Sequence, residues 1–197
     1  MTTVLKDGKF TTPSGFKVRS ESYKSLEAAA NTLRPKLPVL HGSRFKLDCK
    51  RIFEETLPQA GYQYRTIEVA DADECAAFTI PSENIVVLRI DVYDKLQDEQ
   101  VYGRSTVVHE LSHLALQHHL TLHRGAILGA HEHFQDSEWQ AKALTAALMM
   151  PLEAAKTARS PQELADICGT SVQAATYRIE TLVKKLIVLP PSYLLWQ

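Results

Sequence analysis

The nine residues VVHELSHLA, at positions 107–115, constrain the fold of this chain more than any other stretch. They read as a helix that is apolar on both sides of His109, Glu110 and His113, so other elements must cover it on more than one face. Buried imidazoles and a buried carboxylate are costly unless each has a partner. A chain of 197 residues, 45% of them hydrophobic, can bury such a helix within one domain. The sequence therefore predicts a central helix with partnered polar side chains.

The spacing of the two histidines suits a metal ion. Residues i and i+4 share one face of an α-helix, so His109 and His113 can present ring nitrogens to the same ion. Glu110 lies about 100° round the helix, where it can act on a water molecule beside the ion without being a ligand. This is the HExxH arrangement of zinc proteases.

A hydrolytic zinc site needs a third protein ligand. His119 lies six residues after His113, where metzincins have their third histidine, but metzincins turn the chain with a glycine where this chain has Leu116. We therefore expect the helix to continue through Leu116 and to carry His119 away from the site. The alternative is a carboxylate from a later helix, as in gluzincins. Asp136 and Glu138 both lie at the start of the next predicted helix and are both candidates.

Hydrophobic periodicity and turn residues predict a mixture of helices and short strands. Helices are predicted at 22–33, 44–57, 101–119 and 136–151, strands at 62–70, 76–80 and 85–90, and two or three further helices from residue 161 onward. A helical region, a small sheet and then more helices is an α+β pattern.

Two motifs in this order resemble the ImmA/IrrE family of metallopeptidases. HELSH is followed 25 residues later by EWQAKALTAALMMP, and the family has HExxH followed by a helix of the form E-x-x-A-x-x-F-A-x-x-L-L-M-P. The resemblance implies that His109, His113 and Glu138 are zinc ligands and that Glu110 is the catalytic glutamate. It covers roughly residues 20–185, and the chain departs from the family pattern where Leu-Thr replaces the usual Phe-Ala.

The resemblance also implies a fold and an activity. The fold would be a gluzincin-like zinc-peptidase core over residues 1–155, with a small antiparallel or mixed sheet packed on helices, and a helix-turn-helix-like subdomain over 156–197 packed on it. The activity would be that of a Zn²⁺-dependent endopeptidase with Glu110 as general base. The protein substrate would be a helix-turn-helix repressor, whose cleavage switches on stress, mobile-element or phage-defence genes. An edge strand, for which residues 76–80 are the candidate, could hold an extended peptide.

Further side chains are candidates for the same site. Cys75 begins the predicted strand at 76–80, and a thiolate there could be an inhibitory fourth metal ligand. The alternative for Cys75 is a small buried hydrophobe at the start of a strand. His123, His131 and His133 lie between the two motifs, as candidates for stabilising the oxyanion or as ordinary polar loop residues.

Charge is unevenly distributed along the chain. Residues 1–65 carry 12 Lys and Arg against 6 Asp and Glu, whereas the remainder carries 10 against 17. This basic part is either a solvated face or a surface for a polyanion. We therefore consider single-stranded DNA as an activator that would bind through phosphate contacts and base stacking. The candidate contacts are Lys46, Lys50, Arg51, Phe45, Phe53, Tyr62 and Tyr64.

The tail PQELADICGTSVQAATYRIETL is spaced like a helix-turn-helix, with GTSV as the turn. The second helix of this tail carries one basic residue, Arg178, which is little for reading DNA, so we favour a packing role. Two other function classes stay open. A DNA-binding regulator would leave a DNA footprint and bind no metal. A zinc hydrolase of a small molecule would have a closed pocket in place of an edge-strand groove.

The chain shows no features of a secreted or membrane protein. No apolar run approaches the roughly 18 residues of a membrane span, and the first ten residues lack the apolar stretch of a signal peptide. The three cysteines form no CxxC pair, which argues against a disulfide framework and a cysteine zinc cage. We therefore expect a cytoplasmic protein without membrane contacts.

Overall fold

The computed structural model describes residues 4–6, 9–11, 15–71, 75–80, 83–118 and 131–185. The predicted α+β fold is confirmed, because this part of the chain contains eight helices, a short hairpin and a three-stranded mixed sheet. In the same residues, no helix is both long enough and apolar enough to cross a bilayer.

The elements are labelled in chain order. The helices are α1 (Tyr23–Leu33), α2 (Cys49–Arg51, continued by π-helical Ile52–Thr56 and by Leu57–Gln59), α3 (Ile90–Gln97), α4 (Val101–Ala115), α5 (Ser137–Met149), α6 (Leu152–Thr157), α7 (Pro161–Cys168) and α8 (Val172–Lys184). The strands are β1 (Val4–Lys6), β2 (Lys9–Thr11), β3 (Gln63–Ile67), β4 (Ala77–Ile80) and β5 (Ile85–Arg89).

The central strand of the three-stranded sheet is β5. It pairs in parallel with β3 and antiparallel with β4, so β3 and β4 are the two edges. The first four residues of β5 are buried, whereas β4 is only half-buried along its length. The prediction of an edge strand at residues 76–80 is confirmed.

Helix α4, which carries the HExxH motif, is central in the fold as predicted. Val107 and Val108 are fully buried, and the helix packs against α3, α5 and β4. Ser112 on α4 also hydrogen-bonds to Thr145 on α5, with 3.0 Å between the two hydroxyl oxygens. The side chain of Thr145 therefore links the two helices that carry the motifs.

Side-chain caps begin the later helices. Asp136 accepts a hydrogen bond from the backbone N–H of Trp139 at 2.8 Å and so satisfies a free donor in the first turn of α5. Ser160 and Ser171 cap α7 and α8 in the same way. Gly169, with a φ of +66°, ends α7 in a left-handed conformation that glycine adopts at little cost. These local signals reproduce the predicted turn between the two tail helices.

The predicted start of α2 at residue 44 is wrong. The chain before Asp48 is irregular and forms an isolated bridge between Val39 and Leu47. Asp48 then caps the helix by accepting a hydrogen bond from the backbone N–H of Arg51 at 3.0 Å. The capping aspartate decides the start, because its short side chain competes with the backbone for helical hydrogen bonds and favours the cap position.

The sequence predicts that α4 continues as far as His119, because Leu116 stands where metzincins have a glycine. That prediction is also wrong. The helix ends at Ala115, and Gln117 takes a left-handed conformation with a φ of +54°. The turn brings His118 back against His113 of the motif. His119 lies outside the described residues.

The tail packs on the first helix of the chain. Arg178 of α8 is 2% exposed, and its guanidinium forms an ion pair with Glu27 of α1. Its Nε also donates to the backbone oxygen of Met150 at 3.1 Å. Because this charge is neutralised inside the protein, Arg178 is not available to a DNA phosphate, which agrees with a packing role for the tail.

Candidate metal centre

Three side chains from two helices converge beside β4. His109 Nε2 lies 3.2 Å from Glu138 Oε2, and His113 Nε2 lies 3.1 Å from Glu138 Oε1. The two Nε2 atoms lie 3.1 Å from each other. Among the described residues, these three form the group whose ligand atoms are close enough to share one metal ion. Helix periodicity places the two histidines on one face, and the packing of α5 on α4 supplies the carboxylate.

The separations fit a small tetrahedral ion. Two ligand atoms that each lie about 2.1 Å from a tetrahedral zinc ion are about 3.4 Å apart. The observed separations, 3.1 Å between the two Nε2 atoms and 3.1 and 3.2 Å from them to the two oxygens of Glu138, are slightly shorter than that value. Two imidazoles and one carboxylate are also the ligand set of a large class of catalytic zinc sites, in which a fourth position stays open. The residues present therefore fit zinc.

The carboxylate of Glu138 is held in its charged form. Burial raises its pKa, but hydrogen bonds with His109 and His113 outweigh burial and hold the pKa well below the ordinary value. An ionised carboxylate is the form that binds a metal ion.

Asp136, the other candidate ligand, hydrogen-bonds to groups outside the three converging ligands. It caps α5, and its second oxygen lies 3.0 Å from His131 Nε2. Asp136 is 3% exposed and does not belong to the group of converging ligand atoms. His131, a candidate for the oxyanion, is thereby paired with the cap of α5.

Glu110 lies beside the three ligands and does not belong to their group. It is 8% exposed, and burial raises the pKa of its carboxyl group. Thr79 on β4 donates a hydrogen bond from its hydroxyl to Glu110 Oε2 at 3.1 Å. The carboxylate is therefore oriented by the edge strand.

Two polar residues behind His113 were not expected from the sequence. His113 Nδ1 lies 2.9 Å from His118 Nδ1, and His118 Nε2 lies 3.0 Å from Gln140 Oε1. Burial lowers the pKa of His118 to about 4, so this ring is neutral near pH 7. A histidine shortly after the motif is a possible sign of such a contact. Only the turn at Gln117 shows that His118 is the histidine that lies against His113.

The backbone at Gly15 and Phe16 packs against the first turn of α5, which carries Glu138. The backbone N–H of Phe16 donates to Ser137 Oγ at 3.0 Å, and the backbone N–H of Ser137 donates to the oxygen of Phe16 at 3.1 Å. Gly15 is buried against the first turn of α5. A Cβ at Gly15 would overlap Ser137 Oγ and would lie 2.9 Å from Glu138 Cγ. Glycine is therefore needed here because the backbone passes directly over the third ligand.

Gly15→Ala is expected to weaken zinc binding and to destabilise the protein by about 1–3 kcal/mol, the typical cost of overpacking. The added methyl group requires Glu138 or the segment around Gly15 to shift. Urea unfolding and a competitive zinc titration measure the two effects. Ser20→Ala, at an exposed position of the same segment, is the matched control. Wild-type stability and zinc affinity in Gly15→Ala would contradict this account.

The ligands lie in an open cleft of about 1060 Å³. Residues 75–79, on and before β4, form one wall, and residues of α4, α5 and α8 form the others. Large exposed side chains border it, among them Phe16, Tyr102 and Tyr177. The cleft therefore offers both a polar centre and apolar surface along an edge of β4 that no other described strand covers.

The structure does not bring every candidate side chain to the ligands. Cys75 is exposed and lines the cleft, but its thiol lies 2.9 Å from the backbone oxygen of Ala77 and is not in the ligand group. Its role as an inhibitory ligand stays a prediction. His133 is exposed, with its ring against Trp139, and His123 lies outside the described residues.

Several residues considered for DNA contacts have other roles in the structure. Phe45 and Phe53 are buried in the core and cannot stack on bases. Lys46 and Arg51 each lie in an ion pair with a glutamate. Lys50 is exposed. The basic composition of the first 65 residues is thus partly neutralised in the folded protein.

No family model matches the chain, and no curated protein is significantly similar to it. The chemistry of the site is therefore inferred from its geometry. Two imidazole nitrogens and a carboxylate converge on one point, a second carboxylate lies beside them, and the cleft is open to a substrate.

Proposed function

We propose that this chain is a zinc-dependent endopeptidase with a gluzincin-like core formed by α4, α5 and the sheet. The observation that carries the proposal is the convergence of His109, His113 and Glu138, with Glu110 next to them and the edge strand β4 along the same cleft. The same ligand and base assignment follows from the resemblance to the ImmA/IrrE family.

Glu110 is the proposed general base. A zinc ion bound by the three ligands would act as a Lewis acid toward the scissile carbonyl and would lower the pKa of water toward 7. Glu110 would accept the proton of the attacking water and deliver it to the nitrogen of the leaving amine. The hydrogen bond from Thr79 would hold the carboxylate toward the substrate during both transfers.

The edge of β4 is the proposed binding surface for the substrate backbone. One side of β4 pairs with β5. In the part of the chain that the structure describes, no strand pairs with the other side, whose backbone N–H and C=O groups are there for an additional strand. An extended segment added there would run along residues 75–79, which line the cleft. The open cleft favours a peptide over a small molecule, since small-molecule sites bury most of the ligand surface.

The proposed protein substrate is a helix-turn-helix transcriptional repressor in the cytoplasm, whose cleavage would switch on stress, mobile-element or phage-defence genes. This part of the proposal rests on the resemblance to the ImmA/IrrE family. Single-stranded DNA as an activator stays a prediction, with Lys50 as an exposed candidate contact.

Cleavage of a candidate repressor tests the proposal. Zinc-loaded protein is incubated with the repressor encoded beside its gene, with and without short single-stranded DNA, and mass spectrometry maps any products. A discrete cut that disappears in Glu110→Gln supports the endopeptidase. A zinc-loaded protein that leaves repressors and unfolded peptides intact but hydrolyses small amides or esters would replace it with the small-molecule hydrolase.

A further inference from the structure

A row of buried, hydrogen-bonded polar side chains lies behind the ligand His113. His118 and Gln140 are 5% and 1% exposed. In this row, His113 Nδ1 lies 2.9 Å from His118 Nδ1, and His118 Nε2 lies 3.0 Å from Gln140 Oε1. The row contacts the ring nitrogen of His113 that does not face Glu138, so it is placed to act on His113 without touching a substrate.

The amide of Gln140 sets the direction of its hydrogen bond with His118. Its Nε2 donates to the backbone oxygens of Arg19 and Phe134, at 2.7 and 2.9 Å, so its Oε1 must be the atom that faces His118. A carbonyl oxygen only accepts, and His118 Nε2 therefore carries the proton. When Nε2 of His113 binds a metal ion, the neutral ring carries its proton on Nδ1, so Nδ1 of His118, 2.9 Å away, is the acceptor. His113 Nδ1 is then the donor.

We propose that His118 and Gln140 are positioning residues that hold His113 in the Nδ1–H tautomer, with its Nε2 lone pair directed at the metal centre. A neutral imidazole has two tautomers, and only this one presents a lone pair at the nitrogen that faces His109 and Glu138. The hydrogen bond also fixes the ring plane and raises the basicity of the ligand. The proposal rests on the metal centre of the proposed function and is independent of whether the protein cleaves peptides.

Zinc affinity tests this relay, the hydrogen-bonded series from Gln140 through His118 to His113, with two substitutions at position 118. His118→Phe keeps an aromatic ring but removes the acceptor, and it is expected to weaken zinc binding about 10- to 100-fold, the usual effect of losing such a partner. His118→Gln supplies both an acceptor for His113 and a donor for Gln140, and it is expected to restore most of the affinity. His41→Phe, at an exposed histidine outside the site, is the control. Affinities are measured by competition with a chromophoric chelator, and circular dichroism checks that each variant is folded.

The tautomer is measured separately in the wild-type protein. Long-range ¹H–¹⁵N correlation spectra of the zinc-loaded protein distinguish protonated from bare ring nitrogens, and we expect the proton of His118 on Nε2, with its Nδ1 bare. A proton on Nδ1 of His118 would overturn the relay, and so would wild-type zinc affinity in folded His118→Phe. If His118→Phe does not fold, the spectrum of the wild type and the affinity of His118→Gln decide the matter. A protein that binds zinc as expected but cleaves no peptide would remove the proposed endopeptidase and leave the relay in place.

Discussion

Alanine at His109, His113 or Glu138 is expected to abolish stoichiometric zinc binding. Each change removes one of three ligating side chains, in which each ring nitrogen lies 3.1 or 3.2 Å from an oxygen of Glu138, and two remaining ligands do not fill a zinc site. The loss should exceed the roughly 10- to 100-fold effect of changing an outer partner of a ligand. Elemental analysis of purified protein and competitive titration measure it.

Zinc should also stabilise the folded protein, by an amount that grows with the logarithm of its affinity. At a free zinc concentration 100 times the dissociation constant, the free energy of unfolding rises by about 2.7 kcal/mol, and the three alanine variants should lose this increment. His41→Ala and Glu132→Ala, both at exposed positions, are the controls and should keep it. Full zinc occupancy in Glu138→Ala would show that Asp136 or a loop histidine supplies the third ligand.

Glu110→Gln is expected to keep zinc and to lose cleavage. Glutamine preserves the size of the side chain and can still accept the hydrogen bond from Thr79, but it cannot take a proton from water. Removing a general base typically lowers the rate by about 10²–10⁴-fold. The zinc content and the rate of repressor cleavage are measured on the same preparation.

The matched control for this variant is Glu83→Gln, which makes the same chemical change at an exposed position. It should retain both zinc and the wild-type rate. A Glu110→Gln protein that cleaves as fast as the wild type would exclude Glu110 as the base. Loss of zinc from Glu110→Gln would instead show that this carboxylate supports the metal site itself.

Short-range physics explains what could be predicted at the site. His109 and His113 share a face because any α-helix places residues i and i+4 together, whatever surrounds it. The start of α5 at Asp136 follows from a side chain that caps its own helix. The α+β class follows from the periods of hydrophobic residues along the chain.

Other parts of the site depend on residues far apart in the chain. Glu138 becomes a partner of the two histidines only because α5 packs on α4. Gly15, 123 positions before it, passes over its side chain, and a lone glycine in a turn-rich segment carries no local sign of that contact.

The sequence by itself therefore determined the motif helix, the class of fold and the residue types of a metal site, because helix geometry and capping act over a few neighbouring residues. Only the tertiary structure decided that α4 stops at Ala115, with a left-handed Gln117 that returns His118 to His113. It also decided that Arg178 is buried in an ion pair. A turn without glycine and a buried charge are both unfavourable locally, and they persist because distant side chains supply hydrogen bonds that no local pattern contains.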